Sequence, residues 1–184
     1  MSSDEIARQL TNAIVKGDSL ATEDLAKLLV ERKSSVTQAL DAVVDAMNIV
    51  NDLFSIGECD HSKVSASSSA TLAALEVFEP LLSVEEGKAI GTVVLGCIPD
   101  DSVGVDKAIA SSVLRAAGLK TLSLPATVTY ENLTSIANQN QCDLVVLLIK
   151  THENDPRVQS LAIEMRESSP STALKVLVGG NPQA

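Results

Sequence analysis

The segment GTVVLGCIPDDSVGVDKAIASSVLRAAGLKTLSL, residues 91–124, decides the fold class of this chain. It begins inside Ala89–Ile98, a short run of branched apolar residues of the kind that forms a buried parallel strand. A polar loop follows. Next come a helical period over 105–117 closed by Gly118 and a second apolar run over Lys120–Leu124. The alternation continues with a helix over 129–140, a strand over Leu144–Ile149, a helix over 155–168 and a strand over Leu174–Val178 before Gly179 and Gly180. Strands alternating with helices of this length predict βαβ units and an open parallel sheet. Ligands of such sheets bind beyond the carboxyl ends of the strands. Function is therefore expected on the loops 97–105, 125–129, 150–155 and 179–184.

Upstream of Gly87 the period is helical throughout. Ile6, Leu10, Ala13 and Ile14 repeat at helical spacing over 4–15, and Gly17 and Asp18 interrupt them. Thr22 with Glu23 and Asp24 reads as the start of a second helix, a capping hydroxyl followed by acids that favour the positive end of the helix dipole. Leu25, Leu28 and Leu29 supply its apolar face. A third helix over Ser35–Ser55 carries the stripe Val36, Leu40, Val43, Val44, Met47, Val50 and Phe54, with Gly57 as its C-terminal cap. A fourth over Ser62–Leu82 turns Leu72, Leu75, Phe78 and Leu82 inward. The expected organisation is a helical bundle over 1–88 followed by an α/β domain over 89–184.

Composition excludes several classes. The 184 residues include 24 acidic and 14 basic side chains, a net charge of −10, with no Trp, one Tyr and two Phe. A nucleic-acid partner would need a cationic surface and rings for stacking, so none is expected. The longest apolar run, Leu144–Ile149, is far short of the roughly 20 residues of a membrane span. No basic segment followed by an apolar stretch opens the chain, so no signal peptide is read. Cys59, Cys97 and Cys142 have no paired spacing and read as reduced thiols of a cytoplasmic protein. Charge divides at the domain boundary. Residues 1–88 hold 7 basic and 15 acidic side chains, net −8, and the remainder 7 and 9, net −2. The acidic bundle is either a solvated surface or a docking face for a basic partner.

A four-helix bundle followed by a flavodoxin-like (Rossmann-type) sheet resembles the corrinoid (vitamin B12-binding) proteins of methyltransferase systems. DAVVDAMNIVNDLFSIGE, residues 41–58, is similar to the family's bundle segment ending in Phe-x-x-Gly-Glu, here Phe54, Gly57 and Glu58. ATLAALEVFEPLL (70–82) resembles its last bundle helix, residues 91–124 its first strand, cofactor loop, helix and second strand, and KVLVGG (175–180) its fourth strand and Gly-Gly turn. The resemblance implies cobalamin as cofactor, methyltransferase proteins as partners, and a carrier that passes a methyl group between them. It places cofactor contacts at Asp101, Ser102, Val103 and Gly104, at Lys107, Leu148, Gly179 and Gly180, and at Phe54 of the bundle.

This chain departs from the family's pattern. The family's loop reads Asp-x-His-x-x-Gly, its His ligating cobalt and its Asp orienting that imidazole. The equivalent positions here are Asp101, Val103 and Asp106, and Val103 has no lone pair to offer a metal. The Ser or Thr that meets the cofactor's nucleotide base near the end of the third strand corresponds to Leu148. The chain stops at Ala184, where the family continues with a fifth strand and a closing helix, so a shortened sheet is expected. The resemblance leaves two readings, a carrier without a protein ligand below cobalt and a cofactor-less homologue, and Val103, Asp106, Leu148 and the short C-terminus favour the second. The latter would act as a binding or regulatory module whose acidic bundle mediates partner or self-association.

Other constellations weigh less. His152, in KTHEND, stands at the expected exit of the third strand and reads as a solvated loop residue or a ligand. Cys59, Asp60 and His61 are adjacent metal-capable residues without the spacing of a tetrahedral site, and no metal ligand is assigned. Ser67, Ser68 and Ser69 are small residues for a close approach, either to a cofactor or to a neighbouring helix. Asp100 and Asp101 with Lys150 are a weak receiver-like set. No nucleophile elbow, P-loop or dinucleotide fingerprint is present, so no catalytic residue is assigned.

Overall fold

A computed structural model describes residues 1–83, 88–97, 104–125, 130–148, 160, 163 and 175–179, with the side chains of 130 and 131 left aside. The chain divides into two compact units, Met1–Ser83 and Val84–Ala184.

The first unit is built from α1 (Ser3–Lys16), α2 (Ser19–Glu31), α3 (Val36–Ser55) and α4 (His61–Phe78), followed by a 3-10 turn over Glu79–Leu82. Ser2 caps α1 through the Glu5 amide, and Asp60 caps α4 through the Lys63 amide. Helix α2 begins one turn earlier than the Thr22 reading implies. The Asp18 carboxylate accepts the Ala21 amide at 3.0 Å, which leaves Thr22 inside the helix and fully buried. Gly57, at φ 77°, ends α3 as expected: its amide bonds Phe54 O, and the Glu58 amide bonds Leu53 O.

Ile6, Leu10, Ile14, Leu29, Val43, Val50 and Phe78 form the centre of the helical core, each below 3% exposed. Burying each stabilises by about 1.5–3 kcal/mol. On α4 the inward face is mostly small: Ser67, Ala70, Thr71 and Ala74, with Leu75 and Phe78. Leu72, expected in the core, is 41% exposed. At its first turns α4 packs closely on the α1–α2 turn. A Cβ on Gly17, at φ 74°, would come within 2.6 Å of Ala66 Cβ, and Ser67 Oγ donates to Val15 O. Pro80 follows the end of α4, and Leu82 reaches the core from the 3-10 turn rather than from a longer helix.

The second unit is a parallel sheet of β1 (Thr92–Cys97), β2 (Lys120–Ser123), β3 (Leu144–Leu148) and β4 (Lys175–Gly179), in the order β2-β1-β3-β4. This is the expected doubly wound arrangement. Helices α5 (Gly104–Ala116) and α6 (Tyr130–Gln139) join successive strands. One sheet face, Val93, Leu95, Cys97, Val146 and Leu148, packs on Ala110 and Leu114 of α5. The other, Val94, Val145 and Leu147, packs on Leu133, Ile136 and Ala137 of α6. Strand β3 is thus buried on both faces, as its unbroken apolar run predicts. Of the helix expected over 155–168, the described residues Ser160 and Ile163 are helical.

Candidate functional site

The switch point of this sheet lies between β1 and β3, because the chain leaves β1 toward β2 on one side and arrives at β3 on the other. The start of the pair is pinned from the amino edge. Asp143 Oδ2 accepts the Thr92 amide at 2.8 Å, and the Asp143 amide donates to Thr92 O at 2.9 Å. From there the register runs in parallel and places Cys97 opposite Leu148 and Leu148 opposite Gly179. Three strand ends therefore line up at the carboxyl edge.

Their chemistry is apolar. Cys97 is 6% and Leu148 9% exposed, both on the α5 face. A Cβ on Gly179 would meet nothing within 4 Å among the described residues. The edge thus offers a thiol, an isobutyl group and a bare backbone. With Cys97 and Leu148 turned into the α5-side core, the described side chains of these three strand ends present no hydroxyl or imidazole to a ligand. Cys97 escaped the candidate residues although it is the last residue of β1. Only the β1–β3 register reveals that it adjoins Leu148.

Lys107, in the first turn of α5, donates its ammonium to Leu124 O at 2.7 Å. Leu124 directly follows β2, and its own amide returns to Leu95 O. Lys107 therefore closes the β2 side of the carboxyl edge. Gly104, the first residue of α5, is exposed, and a Cβ there would meet nothing within 4 Å among the described residues. Asp101, Ser102, Val103 and Gly180 lie outside the described residues, as do Asp100, Lys150 and His152.

In the helical unit, Phe54 is half-buried, with its ring tilted 56° on His61 at 4.7 Å between centroids. The Cys59–Asp60–His61 triplet resolves into separate local roles. Asp60 caps α4, His61 packs on Phe54, and Cys59 Sγ lies 3.8 Å from Val50 O. Among the described residues no group of three His, Cys, Asp or Glu could hold a metal ion, and no helix is long and apolar enough to cross a membrane. Ser67 serves helix packing through Val15 O. Burial raises the Cys142 thiol above its ordinary range; the Asp143 carboxylate adds to the rise and Lys120 opposes it.

Comparison with known proteins agrees with this architecture. Residues 6–79 match the B12 binding domain family. Dimethylamine corrinoid protein 1 of Methanosarcina mazei is 28% identical over 188 residues, covering 98% of this chain and 84% of that protein. The structure of Methanosarcina barkeri monomethylamine corrinoid protein superposes with a TM-score of 0.81 at 22% identity, over 100% of this chain and 87% of that one. A chain of the methanol:cobalamin methyltransferase complex MtaBC from the same organism superposes with a TM-score of 0.54 at 20% identity, over 96% of this chain and 68% of that one. The helical unit thus matches a B12 binding domain, and along its length the chain is similar in sequence to dimethylamine corrinoid proteins and shares the fold of a monomethylamine corrinoid protein.

Proposed function

We propose that this chain is the methyl-carrier subunit of a methyltransferase system and holds cobalamin without a histidine of its own below the cobalt. The observation that carries the reading is the match of residues 6–79 to the B12 binding domain, in a chain alignable with corrinoid proteins over nearly its full length. In this reading residues 1–88 cap the cofactor and 89–184 bind it. Bound cobalamin supplies the cobalt that carries the methyl group; the protein supplies position and environment.

The strand ends at Leu148 and Gly179 would border the nucleotide base at the carboxyl edge of the sheet. Lys107 would hold the wall at the β2 exit. Asp101, Ser102, Val103, Gly104 and Gly180 would supply the surrounding loop contacts, and Phe54 an aromatic surface of the cap. Val103 stands at the ligand position of the resemblance and has no donor atom, so the cobalt would keep its own benzimidazole or no lower ligand from this chain.

The test is spectroscopic. The purified protein is incubated with hydroxocobalamin and with methylcobalamin, desalted, and its visible spectrum recorded. Retained corrinoid without a histidine-on signature, and a shift in that signature on Val103→His, is the expected result. Loss of both corrinoids on desalting overturns the reading. Leu148 favours a second one: where the resemblance has a hydroxyl for the nucleotide, β3 buries an isobutyl group. A cofactor-less binding or regulatory module, acting through partner or self-association, would give that negative spectrum.

A further inference from the structure

The outward face of α3 carries a pattern that neither packing nor solubility requires. Asp41, Asp45, Ile49, Asp52 and Ile56 follow one another at steps of four, four, three and four residues, which keeps them on one side of the helix. All five are exposed. The opposite side, with Ala39, Val43, Ala46 and Val50, is the one in the core. Ile49 is 42% and Ile56 67% exposed. None of the three carboxylates has an ion-pair or hydrogen-bond partner among the described residues. A face that needed only solubility would not spend two isoleucines there, and one that needed only apolar cover would not interleave three unneutralised acids.

We propose that this face of α3 is the docking surface for a partner protein whose own surface sets lysines or arginines around an apolar ridge. Charge complementarity selects this occupant. Anionic membranes and nucleic acids are repelled by the three aspartates and by the net −8 of residues 1–88. A second copy of this chain is disfavoured for the same reason. An antiparallel α3 pair that covers Ile49 with Ile56 brings the two Asp52 side chains together, and a parallel pair sets every aspartate against itself. The surface does not depend on whether the chain retains a corrinoid, because every residue in it belongs to α3 and its C-terminal cap.

The test places a photo-crosslinking benzoylphenylalanine at Asn48, an exposed residue beside this stripe, or at Asp24 on α2 as control. The full chain is irradiated in extract of its host, and adducts are identified by mass spectrometry. The recombinant form of the captured protein is then titrated against wild type, Asp45→Lys/Asp52→Lys and the control Asp24→Lys/Glu31→Lys. A protein captured from Asn48 and not from Asp24 is expected, with affinity about tenfold weaker for the α3 double reversal and unchanged for the control, and falling with added salt for wild type and control more steeply than for the α3 double reversal. Equal capture from both positions, no capture, capture of a second copy, or equal binding by both double variants overturns the proposal. Circular dichroism of each variant confirms that the reversals leave the helices intact.

Discussion

The ammonium of Lys107 donates to the carbonyl oxygen of Leu124 at 2.7 Å. This single bond ties the first turn of α5 to the residue that leaves β2, so Lys107 builds the edge of the candidate site instead of extending into it. Lys107→Met keeps the stem and removes the donor. It is expected to lower stability by about 1–2 kcal/mol, read from urea unfolding. Unchanged stability with weakened corrinoid retention would show that the ammonium serves the ligand instead.

Gly17 is constrained twice. Its φ of 74° disfavours side chains, and a Cβ there would come within 2.6 Å of Ala66 Cβ. Gly17→Ala is expected to cost about 2–4 kcal/mol. Ala66→Gly in the same chain relieves the collision but not the backbone conformation, so the double variant should regain part of that loss in thermal unfolding. Full additivity of the two single changes would place the strain elsewhere.

Thr22 and Thr71, on α2 and α4, are both fully buried, and neither hydroxyl has a hydrogen-bond partner among the described residues. Valine has nearly the same shape without the polar atom. Thr22→Val and Thr71→Val should each stabilise the chain by about 1 kcal/mol, measured by chemical denaturation. A loss of similar size would mean that the hydroxyls are satisfied in solution.

Cys59 is half-buried, whereas Cys97 and Cys142 are buried. A disulfide-forming aromatic reagent should modify Cys59 first and the other two only as the α/β unit opens. Burial holds the Cys142 proton more tightly in the folded chain than in the unfolded one. Its contribution to stability is therefore complete below the ordinary thiol pKa and is lost as pH rises through the raised value. Cys142→Ala should remove that alkaline loss, seen as a flatter dependence of the urea midpoint as pH rises beyond the ordinary thiol range.

Much of the fold is legible because its signals are local. Unbroken apolar runs mark β1 and β3, and Gly57 and Gly118 end helices in left-handed conformations that favour glycine. The misreadings come from competition. Asp18 outbids Thr22 as the cap of α2 because a carboxylate one turn earlier reaches the Ala21 amide. Leu72 points outward because the buried face of α4 runs through Ser67, Ala70, Thr71, Ala74, Leu75 and Phe78, with Ser67 bonded to Val15 O beside the Gly17 turn. At the candidate site the residue types were readable, but their adjacency was not. Cys97, Leu148 and Gly179 are joined only by strand register, and the Lys107–Leu124 bond links residues 17 apart through a loop-closing geometry that no local pattern encodes.

The β2-β1-β3-β4 order also dictates a sequence of events during synthesis. Val93 finds its β3 partner in Leu144, more than fifty residues later, whereas the helical unit is complete by Ser83. The bundle can close its core while β1, with α5 and β2, still lacks its central partner β3 in the nascent chain. Loop-closure entropy opposes the central β1–β3 pairing until α6 has formed. The central pairing of the sheet, the longest-range strand pairing among the described residues, thus has to wait, while the helical unit needs nothing beyond Ser83.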